Sequence, residues 1–221
     1  HNGWAEQNPA DWFDGCVRGL KAILPKVNKD DIVGLSFSGQ MHGLVALDKD
    51  NQVIRPSILW CDQRTQAQCD WITEKAGGLK KLLGYTNNRM LTGYTGGKIL
   101  WLRDEEPDNF AKMKMFFCPK DYIRFKLTGA FATDVSDASG MQLLDIAARD
   151  WSDEVLEKLN IDRALLAPVL ESPDVSGHVT AETAALTGVP AGTIVVGGAG
   201  DNAAAAVGCG AVRDGYGFTT I

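Results

Sequence analysis

Apolar residues recur with a helical period near the start of the chain and with a strand period soon after it. Between Asn8 and Pro25 their spacing predicts a helix that Asn8 caps. Residues 31–38 (DIVGLSFS) then alternate between large apolar residues and glycine or serine, which predicts a strand with one small-residue face. Residues 44–47 and 52–54 flank a polar turn and predict a hairpin.

The middle of the chain is mainly helical in its pattern. Capping residues, apolar spacing and prolines predict a helix that begins at Asp62, helices at about 97–106, 108–114 and 119–127, and later helices capped by Ser152 and Thr180. The stretch that contains Asp134, Asp137 and Ser139 reads as a loop.

A short apolar run near the end of the chain is followed by glycines and then by alanines. Residues 193–196 predict a buried strand, residues 197–200 (GGAG, the glycine turn) a tight turn, and the alanines a helix. Asp201 falls at the expected N-cap of that helix. Its carboxylate therefore either caps the helix or faces a ligand beyond the strand end, where open α/β sheets bind ligands.

Strands alternate with helices at both ends of the chain, which predicts the α/β class with a mostly helical insertion at about residues 62–179. Each short strand needs a partner for its backbone groups, so the two strand-bearing ends must meet. We expect this meeting to bring residues 39–43, the polar tip, close to Asp201.

Composition and charge narrow the possible partners. The 221 residues carry a formal net charge of −6 and no long basic run, so nucleic acid and anionic membrane surfaces are poor partners. No apolar stretch is long enough to span a bilayer, and the start of the chain lacks the features of a signal peptide. Five scattered cysteines without a C-x-x-C pair indicate reduced thiols and a cytoplasmic protein, and no metal site is expected from the three histidines.

Three segments could carry chemistry. His42 lies in the polar tip, which also reads as a plain hairpin turn, and Asp201-Asn202 follow the glycine turn. Together they would surround a polyhydroxyl ligand with oriented polar partners. Trp60 beside Asp62 suits a sugar, although Asp62 could instead cap its helix and pair with Arg64. A dinucleotide site is weak because the third glycine of G-x-G-x-x-G is missing.

Six motifs, in order along nearly the whole chain, together resemble the FGGY family of carbohydrate kinases. They are SGQMHG (38–43), ILWCDQR (58–64), GYTGGKILWLRDE (93–105), PKDYIRFKLTG (119–129), DVSDASG (134–140) and GGAGDNAAAAVG (197–208). Within the family, GQMHG and GDNAA are most similar to the members that act on xylulose.

The resemblance implies an RNase H-like, actin-like N-terminal domain over residues 1–221 and transfer of the γ-phosphoryl of Mg-ATP to a ketose hydroxyl, with D-xylulose the expected acceptor. By position, Asp201 resembles the catalytic base. Residues that resemble sugar contacts are Met41 (through its backbone), His42 and Asn202, together with Gln40, Trp60 and Asp62.

The chain departs from the family pattern at both ends. It starts after the first strand and hairpin of a complete member, and the second phosphate loop and the C-terminal nucleotide domain would follow Ile221, so the fragment alone is expected to be inactive. Another sugar or polyol (gluconate, ribulose or glycerol), or a non-catalytic sugar-binding or actin-like assembly module, is the alternative. Without the hairpin a strand edge would be exposed, and two copies of the chain could pair along it. A homodimer is therefore a further alternative.

Overall fold

Short strands and helices alternate over residues 2–219, the part of the chain that the computed structural model describes. The helices are α1 (Pro9–Ile23), α2 (Gln66–Lys75), α3 (Leu79–Thr86), α4 (Thr95–Glu105), α5 (Pro107–Lys112), α6 (Pro119–Thr128), α7 (Val135–Ser139), α8 (Asp153–Leu159), α9 (Ala181–Thr187) and α10 (Asp201–Gly208). The strands are β1 (Glu6–Gln7), β2 (Gly34–Leu35), β3 (Ser38–Gly39), β4 (Val45–Leu47), β5 (Ser57–Ile58), β6 (Met115–Phe117), β7 (Thr133–Asp134), β8 (Leu144–Asp145), β9 (Asp150–Trp151), β10 (Val169–Leu170), β11 (Val175–His178), β12 (Ile194–Val196) and β13 (Ala199–Gly200).

The two strand-bearing ends meet, as predicted, and the structure shows that they pair in parallel. In a three-stranded sheet β12 lies between β2, to which it is parallel, and β11, to which it is antiparallel. Just beyond it β13 pairs in parallel with β3, with Ala199 opposite Ser38 and Gly200 opposite Gly39. The predicted strand at 31–38 is thus split into β2 and β3, which pair with β12 and β13 on either side of Gly198, a residue with φ +73°.

A second layer packs on β4, which is buried along its whole length and pairs antiparallel with β6. The largest apolar cluster runs from Leu44 through α2 and α4 to Leu166. The predicted hairpin at 44–54 forms, with Leu47 bridged to Val53. Among the described helices none is both long and apolar enough to cross a membrane.

Several predicted helix boundaries are confirmed by their caps. The side chain of Asn8 accepts from the N–H of Ala10, Ser152 accepts from Val155, and Thr180 accepts from Thr183. Each cap satisfies a backbone donor that the first helical turn leaves unpaired.

Three local predictions are wrong or incomplete. Helix α2 begins at Gln66 rather than at Asp62, because the side chain of Asp62 holds the backbone of Arg64 in a turn. The stretch read as a loop contains the short helix α7, which Asp134 caps. Helix α3 has no counterpart in the sequence analysis.

Candidate functional site

The parallel pair of β3 and β13 brings the polar tip and Asp201 side by side. Gly200 lies opposite Gly39, so Asp201 and Gln40 follow at the same end of the two strands. The contact is close, since a Cβ on Gly200 would lie 2.6 Å from Cγ of Met41. A larger residue at this position would require the Met41 side chain to move.

Asp201 is one position further into its helix than predicted. The N-cap of α10 is Gly200, whose extended conformation (φ −56°, ψ 150°) follows from its strand pairing, and Asp201 is the first helical residue. The exposed carboxylate accepts from the N–H of Asn202 at 2.9 Å through Oδ1. A carboxylate in the first turn is stabilised by the helix dipole and remains open to a ligand.

His42 adopts a left-handed backbone conformation, with φ +68°. Its ring contacts Gly140, at the C-terminal end of helix α7. Nδ1 lies 3.0 Å from the carbonyl oxygen of Gly140, and the ring centroid lies 4.5 Å from that of Tyr94. Because a carbonyl only accepts, Nδ1 carries the proton in the neutral ring. Nε2 is therefore the acceptor atom of this imidazole.

The imidazole of His42 is neutral at physiological pH. Its pKa is lowered to about 4, chiefly by burial and also by Lys98, although the bond to Gly140 and the charge of Asp201 act to raise it. Both residues lie on the segments that the pairing of β3 with β13 brings together. A neutral ring next to a carboxylate suits hydroxyl groups better than it suits an anion.

Lys98 supports the polar tip, and the sequence analysis did not identify it. It is fully buried on α4, and Nζ donates to the carbonyls of His42 and Gly93, both at 2.6 Å. Thr95 also donates to the His42 carbonyl, at 3.1 Å. These bonds hold the polar tip against the start of α4 and support the left-handed conformation of His42. Burial lowers the pKa of Lys98 to about 7.

The other residues predicted around the ligand lie on the same two segments. Gln40 donates from Nε2 to Oε1 of Gln7 at 3.3 Å, and Gln7 also accepts from Trp12. The carbonyl of Met41 accepts from the N–H of Gly43, so the tip closes on itself. Asn202 is exposed at the start of α10. Gln40, Met41 and Asn202 therefore lie on the two segments that the pairing of β3 with β13 brings together.

Trp60 and Asp62 differ sharply in their accessibility. The Trp60 side chain is 55% exposed, and its backbone lies against Gly93, which Lys98 links to His42. Asp62 is fully buried, and its carboxylate accepts from Arg64 and from the N–H of Ala5. The prediction of Asp62 as a ligand contact is therefore replaced by the packing alternative, in which it pairs with Arg64.

A cluster of five buried ionic side chains lies behind the glycine turn, and the sequence analysis did not identify it. It consists of Lys120, Asp121, Arg124, Asp134 and Asp137, all with side chains 0% exposed. Lys120 Nζ lies 2.6 Å, 2.7 Å and 3.2 Å from the carboxylates of Asp121, Asp134 and Asp137. Burial alone would lower the pKa of Lys120, but these three carboxylates raise it above its usual value.

Burial raises the pKa of Asp137 to about 8 despite the opposing effect of Lys120. With Asp137 protonated at neutral pH, two carboxylates face two cations and the cluster is balanced. Among the described residues, Asp121, Asp134 and Asp137 are the only group of three that could hold a metal ion. The ammonium of Lys120 already occupies the space between them, so the cluster does not fit Mg²⁺.

Comparison with known proteins adds the decisive observation. The profile described as "FGGY family of carbohydrate kinases, N-terminal domain" matches residues 1–208. The chain belongs to the FGGY family of carbohydrate kinases. The expected family and the α/β fold class are therefore confirmed.

Within the FGGY family, the chain is similar to xylulose kinases. It is 43% identical to the xylulose kinase of Bacillus subtilis (strain 168) over 99% of this chain and 44% of the relative. It is 40% identical to that of Lactococcus lactis over 99% of this chain and 44% of the relative. The solved structure of a xyloylose kinase from Brucella ovis superposes with a TM-score of 0.89 at 38% identity, covering 97% of this chain and 44% of that one. The chain thus spans less than half the length of these relatives.

Proposed function

We propose that this chain is the sugar-binding domain of a kinase that transfers a phosphoryl group from ATP to D-xylulose. The relatives named xylulose kinase support the choice of substrate. The observation that carries the proposal is the parallel pairing of Ala199–Gly200 with Ser38–Gly39, after which Asp201 and Gln40 of the polar tip follow at the same end of the two strands.

In this proposal Asp201 is the general base. Its exposed carboxylate accepts the proton of the sugar hydroxyl that attacks the phosphoryl group. Phosphoryl transfer asks the protein mainly to position groups and to stabilise charge, so a weak base that is held in place suffices. The N–H of Asn202 fixes Oδ1 at 2.9 Å and leaves Oδ2 for the hydroxyl.

His42 and its neighbours bind and orient the sugar. Nε2 of the neutral ring accepts a hydrogen bond from a sugar hydroxyl, because Nδ1–H is already bonded to Gly140. Gln40 and the side-chain amide of Asn202 offer further polar contacts, and the exposed ring of Trp60 offers an apolar face.

ATP would supply the phosphoryl group, with Mg²⁺ shielding its charge. Among residues 2–219, the one group of three carboxylates that could hold a metal ion is Asp121, Asp134 and Asp137, and it is paired with Lys120 instead. The roles proposed for this chain therefore concern the acceptor sugar and its proton.

The charges around the site favour a neutral sugar over a sugar acid such as gluconate. Asp201 is the charged side chain at the surface of the site, and the two lysines nearest the polar tip, Lys98 and Lys120, are buried and bonded to other groups. An anionic substrate would meet the carboxylate of Asp201 while these two lysines are engaged elsewhere, which is unfavourable at short range.

Titration of the 221-residue chain with D-xylulose, gluconate and glycerol by calorimetry tests this proposal. We expect D-xylulose to bind at least about tenfold more tightly than gluconate, which is a difference of about 1.4 kcal/mol. His42→Ala should weaken D-xylulose binding, whereas the matched change at the exposed His178 of β11 should not. Tighter binding of gluconate, or equal losses from both histidine changes, would contradict the assignment.

A further inference from the structure

The glycine turn, which leads into Asp201, is held by main-chain hydrogen bonds and by one bond to a side chain. Three of its N–H groups bond to main-chain carbonyls: Gly197 to Asp174, Gly198 to Ser172 and Ala199 to Phe37. The fourth, that of Gly200, donates to the hydroxyl of Ser136 at 2.9 Å. The peptide adjacent to Asp201 therefore depends on a side chain for its anchor.

Ser136 is itself fixed by the buried ion cluster. Its hydroxyl donates to Oδ2 of Asp134 at 2.5 Å, and its N–H donates to the same oxygen at 2.9 Å. The other oxygen of Asp134 pairs with Lys120 at 2.7 Å. With its proton committed to Asp134, the hydroxyl oxygen of Ser136 can only accept from Gly200.

The same cluster also holds the opposite end of the turn. Arg124 donates from a terminal nitrogen to the carbonyl of Gly197 at 2.7 Å, and Lys120 donates to that carbonyl at 3.3 Å. A turn with three glycines has little stiffness of its own, because glycine restricts the backbone least. Burying ions costs desolvation free energy during folding. Here the buried ions hold both ends of the glycine turn, which leads into Asp201.

We propose that Ser136, backed by Asp134 and Lys120, is a positioning residue that fixes the Gly200 peptide and thereby sets the place of the Asp201 carboxylate in the sugar site. This inference rests on the proposed function, in which Asp201 touches the sugar. Catalytic groups need to be held within about half an ångström of their working geometry. A hydroxyl that bridges a buried carboxylate to the neighbouring peptide supplies such a restraint.

Amide hydrogen exchange measured by NMR on the 221-residue chain tests the anchor without any sugar. In Ser136→Ala we expect the Gly200 amide to exchange about fivefold faster, which corresponds to the loss of one hydrogen bond. Ser136→Thr, which keeps the hydroxyl, should restore the slow exchange. The control is Ser139→Ala on the same helix, since that hydroxyl bonds only to the carbonyl of Ser136. Unchanged protection of Gly200 in Ser136→Ala would overturn the proposal.

A double-mutant cycle on D-xylulose affinity tests whether Ser136 acts through Asp201. We expect Ser136→Ala to weaken binding about threefold in the native background and to have no further effect in Asp201→Ala. Equal losses in both backgrounds would indicate general loosening and would overturn the proposal. If the native chain does not bind D-xylulose, the proposed substrate fails, while hydrogen exchange at Gly200 still decides the anchoring role.

Discussion

Replacing Asp201 by asparagine in a kinase that carries this chain as its N-terminal domain is expected to lower kcat for D-xylulose by about 10²- to 10⁴-fold, the usual contribution of a general base. Asparagine is close in size and can still accept a hydrogen bond from the attacking hydroxyl, but it cannot take up the proton. KM for D-xylulose should therefore change little. Because Asp201 is exposed and bonded only to its neighbour's N–H, the fold should be preserved. Steady-state kinetics with a coupled assay for ADP measure both parameters.

Asp11 provides a matched control for this experiment. It is another exposed aspartate in the first turn of a helix, at the start of α1. Asp11→Asn should leave kcat unchanged, which separates loss of the base from loss of a helix-dipole interaction. If Asp201→Asn retained near-native turnover, the assignment of the base would be wrong.

The second large effect concerns stability and the buried ion cluster. Lys120→Met is expected to lower the free energy of unfolding of the chain by about 3–5 kcal/mol, because it leaves the carboxylates of Asp121 and Asp134 buried with too little positive charge. Chemical denaturation followed by circular dichroism measures this change.

Asp137→Asn is the matched variant within the same cluster, and it should keep or raise the stability. The pKa of Asp137 is about 8 in the folded chain, well above its ordinary value, so the folded state binds more protons than the unfolded state between about pH 4 and pH 8. The native chain therefore loses stability from this group as the pH rises through that range, whereas the variant, which has no proton to lose at this position, does not. The advantage of the variant should grow with pH and level off above pH 8. A loss in Asp137→Asn as large as that in Lys120→Met would show that Asp137 is needed as an anion.

Local sequence patterns determined much of the fold. The caps Asn8, Ser152 and Thr180 satisfy the first-turn amides of their helices and depend only on nearby residues, so pattern reading found them. The need of short strands for partners also predicted correctly that the two chain ends meet. Helix α2 was misplaced because Asp62 satisfies Arg64 and Ala5 rather than the helix, and Ala5 is distant in sequence.

The sequence analysis predicted only those residues of the candidate site that lie within one short motif. The polar tip and Asp201-Asn202 are recognisable in the sequence, but their supports are not. Lys120, Asp121 and Arg124 lie on α6 in a pattern typical of a solvated face, and Asp134 and Asp137 read as a polar loop. Their burial results from the way α6 and α7 pack behind the glycine turn, which no local pattern encodes. Lys98 was missed for the same reason, since a single lysine in an apolar helix is usually expected to reach solvent.

The central claim is that the polar tip and the start of α10 face one sugar site. Mapping D-xylulose binding on the 221-residue chain by two-dimensional NMR tests it most directly. We expect the amide signals of residues 40–42 and of Asp201 and Asn202 to shift together and to fit one dissociation constant. Shifts confined to one of these segments, or located at neither, would contradict the claim.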